Sequence, residues 1–118
     1  MKMPISQIVD HFTILKVKNH FNIDVKEEFN AFKEEIEKYD IPGSLIDQLY
    51  EINKQMFVLH DEIIKPEIEG EVRGEMALRL FQFNIQRVET RNKIAKLFKE
   101  PEEYKTYKNA SNLSYNQS

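Results

Sequence analysis

Asp10, Asn53, Asp61, Asn84 and Arg87 are the residues whose types could do chemistry together. Each borders an apolar seam, so packed helices could bring them together. Asn53 and His60 stand seven apart and share a helical face, as Asn84 and Arg87 do at a spacing of three. A guanidinium in such a place grips a carboxylate or a phosphate in a two-pronged fork. Two roles are open to the set. One is a small-molecule or phosphate-ligand site. The other, which we expect to prevail, is a buried network of charges and amides that fixes helix register.

Other constellations are weaker. Glu34, Glu37 and Asp40 follow at steps of three, the kind of spacing that holds Mg²⁺ against a polyphosphate in all-helical nucleotide pyrophosphohydrolases. Such a cage also needs carboxylates from a facing helix, and Asp61-Glu62 has no acid at the matching turn. His60, Asp61 and Glu62 are neighbours on a helix and point about 100° apart, so they cannot converge on one ion. With no cysteine, a thiol nucleophile and a thiolate metal site are excluded. No Gly-x-Ser-x-Gly elbow and no glycine-rich phosphate loop occurs. No catalytic residue, metal or cofactor is assigned.

The elements that must position these residues follow from apolar spacing. Ser6 is placed to cap a first helix carrying Ile8, Val9, Phe12 and Leu15 and ending near His20. Asp24 opens a second, in which Val25, Phe29, Phe32, Ile36 and Tyr39 share one face until Ile41-Pro42-Gly43 stops it. Ser44 caps a third, whose seam is Leu45, Leu49, Ile52, Met56, Leu59 and Ile63; beside it run Ile46, Asn53 and His60, and Pro66 ends it. A turn near Gly70 leads to a long fourth helix reaching about Lys99, with Leu78, Phe81, Ile85, Val88 and Ala95 as its apolar face. Ala77, Asn84, Arg91 and Phe98 adjoin that face. Nothing alternates with period two for long enough to make a strand.

The expectation is an all-α, antiparallel bundle of about four helices over residues 1–108, with a polar, flexible C-terminal tail at 109–118. One domain suits 118 residues.

Charge narrows the partners. Seventeen basic residues against 20 acidic ones give a net charge of -3, so nucleic-acid binding is not expected. The charge is uneven. Arg87, Arg91, Lys93, Lys96 and Lys99 make one stretch basic, while Glu27, Glu28, Glu34, Glu35, Glu37 and Asp40 make another acidic. The two could attract each other within one bundle or across a homodimer. No stretch has the roughly 20 apolar residues of a membrane span. The opening Met1–Gln7 has no apolar run of the signal-peptide kind. Cytoplasm is the expected location.

Four motifs together resemble a family of small bacterial and phage-encoded proteins of unknown function. They are Pro4-Ile5-Ser6 with Asp10, Thr13-Ile14-Leu15 and Lys18; Leu49-x-x-x-Asn53 with Asp61-Glu62-Ile63; Ala77-x-x-x-Phe81-x-x-Asn84-x-x-Arg87; and Glu103-Tyr104-Lys105-x-Tyr107. The resemblance spans residues 4–107. The chain departs from the pattern at Gln7, His11 and Ile85, where an acid, a lysine and an Asp are expected. The resemblance implies a helical cytoplasmic protein and supplies no activity. The reading that follows is a small, non-enzymatic interaction or accessory protein whose partner is another protein or a second copy. The alternative is a small-molecule or phosphate-binding protein, with metal-dependent nucleotide hydrolysis as its enzymatic form.

Overall fold

A computed structural model of the chain describes residues 1–103. Among them are four helices: α1 (Ile5–His20), α2 (Lys26–Ile36), α3 (Gly43–Ile63) and α4 (Gly70–Leu97). There is no strand among the described residues. The all-α, four-helix reading therefore holds. The tail expected at 109–118, and the tyrosines at 104 and 107, lie outside the described residues.

Helix starts differ from expectation at three places. Pro4, Val25 and Pro42 occupy the N-cap positions of α1, α2 and α3, and none supplies a side-chain cap. Ser6 is instead buried in the first turn of α1. Asp24 touches only the Lys26 N–H, at 3.5 Å. Ser44 lies inside α3. The two prolines win because their fixed φ suits the entry to a helix and they lack the N–H that such a position leaves unpaired.

The helix ends use backbone chemistry. After α1, Asn22 adopts φ 62°. The Ile23 N–H then reaches the Lys18 carbonyl at 2.9 Å, and the Asn22 N–H reaches that of Asn19 at 3.1 Å. This is the paired pattern in which a left-handed residue closes a helix. The same pattern ends α4, where Lys99 takes φ 55° and the Glu100 N–H bonds the Ala95 carbonyl at 2.8 Å. Between α3 and α4, Arg73 acts as a side-chain clamp. Its Nε and Nη2 donate to the carbonyls of Ile63 and Lys65, both at 2.9 Å.

α1 is the central helix, packing on all three others, while α3 and α4 pair along their lengths. The α1–α2 and α3–α4 hairpins are antiparallel. Across α1 and α3 the partners rise together, with Lys16 over the Tyr50 ring and Phe21 stacked on Phe57 at 5.1 Å. Val9, Leu49 and Ile94 form the fully buried centre, ringed by Ile5, Ile36, Ile41, Leu45, Ile46 and Phe98. Burying each such aliphatic side chain contributes roughly 1.5–3 kcal/mol. α2 holds to α1 through Phe29 on Phe12 (ring centroids 5.3 Å apart) and Phe32 on His11 (4.5 Å). α2 does not pack on α4 among the described residues; the acidic and basic stretches meet through the rings of Tyr39 and Phe98, 6.0 Å apart, and not through their charges.

Orientation decides what remains uncovered. The inward line of α4 runs through Leu80, Phe83, Arg87, Thr90 and Ile94, and at about 100° per residue Leu78 falls on the side opposite Arg87. The apolar face expected on α4 is therefore only partly buried. Ala95 is buried and Val88 and Ile85 are half-buried, whereas Leu78 is 58% and Phe81 53% exposed. Val58, Ile64 and Val72 are exposed on the same projecting α3–α4 arm.

Candidate functional site

Asp10 lies on the inner face of α1, buried to 4% exposure. An ionised carboxylate there needs partners, because desolvation without compensation is costly. α4 supplies them at one helical turn's spacing. Arg87 grips the carboxylate with Nε to Oδ1 at 3.0 Å and Nη2 to Oδ2 at 2.6 Å. Arg91 Nη1 adds a bond to Oδ2 at 2.9 Å. From α3, the Asn53 amide donates to Asp10 Oδ1 and to Thr13 Oγ1, both at 2.9 Å. Thr13 in turn donates its hydroxyl to the Asp10 carbonyl at 2.7 Å.

The electrostatics are internally balanced. Arg91 also pairs with Glu103, so two guanidinium groups face two carboxylates. Burial pushes the Asp10 pKa up. The hydrogen bond and charge of Arg87, then the bonds from Asn53 and Arg91, outweigh it and hold the carboxyl below its ordinary value. For Arg91, burial works against the charge, but Glu103 and Asp10 more than restore it and raise the pKa. Among the described residues two buried polar atoms of this network lack a partner, Arg91 Nε and Glu103 Oε2.

A second carboxylate completes the framework. Glu100 accepts the Ile5 N–H at 2.5 Å and the Ser6 N–H at 3.1 Å, so it satisfies the start of α1 that Ser6 was expected to cap. The Glu103 N–H bonds Asn92 Oδ1 at 2.8 Å, which holds this segment against α4.

Of the five residues singled out by sequence, Asp10, Asn53 and Arg87 therefore converge. Asn84 stands exposed at the rim, with Arg87 Nη1 at 3.5 Å from its Oδ1. Asp61 does not belong. It is exposed near the end of α3. Asn53 and Asp61 are eight apart, and about 100° per residue turns the later one off the buried face. Arg91, Thr13 and Glu103 were missed. Arg91 had a signal, standing one turn after Arg87 beside the same seam; Glu103 stood only in a motif of the resemblance, because its place depends on the backbone turn at Lys99.

Other candidates separate in space. α2 stops at Ile36, so Glu37 and Asp40 leave the helical spacing shared with Glu34. No group of three or more His, Asp and Glu is placed to hold a metal ion among the described residues. Arg87 and Arg91 are turned inward, which leaves Lys93, Lys96 and Lys99 as the exposed part of the basic stretch. No helix among the described residues is long and apolar enough to cross a membrane. Set against protein-family models, curated proteins and solved structures, the chain finds no match.

Proposed function

We propose that this is a small, non-enzymatic interaction protein of the cytoplasm, and that the α3–α4 arm is its working part. The observation that carries the reading is the exposure of Leu78 and Phe81 on consecutive turns of α4. Burying them against another helix gains hydrophobic free energy at about 25 cal/mol per Å². The mode is an amphipathic helix face meeting another. The polar cluster serves as the rigid base of the arm. Its charges are matched internally, so a phosphate or other anion at Arg87 has to displace Asp10. That makes ligand binding or nucleotide hydrolysis the lesser reading. The resemblance to small helical bacterial and phage-encoded proteins belongs to this proposal as well, and it adds no activity.

The test is retention of a protein partner from extract by immobilised wild type and by a Leu78→Ser/Phe81→Ser variant. Wild type retains a defined protein and the variant loses it. Equal retention by both, or a wild type that retains no protein and does not self-associate, overturns the reading.

A further inference from the structure

We infer that a second copy of this chain is the occupant of the exposed α4 strip, the two α4 helices packing antiparallel about a two-fold axis between Leu78 and Phe81. This rests on the interaction reading above and gives it a partner.

Three observations converge. The first is spacing. Leu78, Phe81, Ile85 and Val88 recur at steps of three, four and three, the seam of one helix packed on another. The lower part of that seam is half-buried in the monomer, and the upper part, Leu78 and Phe81, is open. A two-fold interface uses one patch twice, so the patch must complement itself. An antiparallel pairing does this by setting Leu78 of each copy on Phe81 of the other.

The second is charge. The start of α4 and the turn before it carry Glu67, Glu69, Glu71 and Glu75 on the surface. Arg73, in the middle of that group, is committed to the carbonyls of Ile63 and Lys65, and Lys65 is paired with Glu62. The far end of α4 exposes Lys93, Lys96 and Lys99. About that axis an antiparallel overlay sets Lys93 of each copy level with Glu67 and Glu69 of the other, with Lys96 one turn further along; the exposed Glu89 lies outside this pairing. A parallel overlay stacks like on like. The helix dipoles also favour the antiparallel arrangement.

The third is what the monomer leaves undone. The acidic helix α2 packs on α1 and not on α4, so those lysines gain no acidic helix within their own chain. The strip is short beside a standard interface of about 800 Å² per partner. The dimer accordingly dissociates on dilution.

Sedimentation equilibrium over a concentration series tests this directly. The average mass of wild type climbs from 14.1 kDa toward twice that value. Phe81→Glu stays at the monomer mass with an unchanged helical circular-dichroism signal, since position 81 is exposed. Lys93→Glu/Lys96→Glu weakens dimerisation by about tenfold, from several rim pairs lost at once. Adding Glu67→Lys/Glu69→Lys restores it. A wild type that remains monomeric throughout, a dimer indifferent to Phe81→Glu, or charge reversals that do not rescue each other would overturn the inference. If wild type is monomeric yet retains another protein through Leu78 and Phe81, only the self-association fails. If it retains none, the interaction reading fails with it.

Discussion

Glu100 caps Ser6 from 94 residues away: its Oε1 accepts the Ser6 N–H at 3.1 Å, while Oε2 takes the N–H of Ile5. The first turn of α1 is thereby closed by the turn that follows α4. One end of the chain can organise the other because α1 and α4 run antiparallel, which brings residue 100 level with residue 5. The same turn sends Glu103 onto Arg91, and through Arg91 onto Asp10.

Removing the Asp10 carboxylate strands the Arg87 guanidinium and takes from Arg91 one of its two carboxylate partners. Asp10→Ala should cost about 3–5 kcal/mol by urea denaturation, the range for breaking a buried ion pair from one side. Asp61→Ala, at an exposed position, should stay within about 0.5 kcal/mol of wild type. Replacing the set together, as Asp10→Leu/Arg87→Met/Arg91→Met, should recover much of the loss, because apolar packing often substitutes for a buried charge network. If Asp10→Ala and Asp61→Ala prove equal, the network does not hold the fold.

Acid should weaken the protein through Asp10. Its carboxyl pKa is held below 3.8 in the folded state, so the unfolded chain takes up the proton more readily. The stabilisation is then present above about pH 4 and is lost as pH falls through the folded-state value. Denaturation midpoints measured from neutral pH down into this range should drop steeply in wild type and less steeply in Asp10→Asn. Parallel curves for the two proteins would be the contrary result.

Glu100→Ala should uncap α1. The loss should be about 1 kcal/mol, typical of an N-terminal cap. Amide exchange should accelerate at Ile5 and Ser6 ahead of residues in the middle of the helix. Unchanged protection there would mean that water replaces the carboxylate at no cost.

Lys99 holds a backbone conformation that suits glycine better than lysine, with φ 55°. Lys99→Gly should raise stability by about 1 kcal/mol by relieving the contact between Cβ and the following carbonyl. A lower thermal midpoint would show that the lysine side chain contributes more than its backbone costs.

What the sequence determined by itself was the periodic part. The spacing of Leu45, Leu49, Ile52, Met56, Leu59 and Ile63 specifies α3 and its buried face, and all six are buried or half-buried. The ends of α1, α3 and α4 were legible within a few residues, because proline and apolar periodicity act locally. Asp10, Asn53 and Arg87 were legible as polar residues beside apolar seams, which is where a buried partner is needed. Tertiary structure alone decided which of the candidate residues meet. Asp61 carries the same chemistry as Asp10, yet it falls on a solvent face. Arg91 entered because α4 sets it one turn past Arg87 against Asp10, and Glu103 because a left-handed turn at Lys99 reversed the chain. The capping of α1 by Glu100 was hidden from local rules for the same reason, since a backbone N–H can be satisfied by any acceptor the fold brings close. The exposure of Leu78 and Phe81 was likewise invisible in their pattern, which reads as core: periodicity specifies a face, and only the packing of α4 decides that the line through Leu80, Phe83, Arg87 and Ile94 turns inward instead.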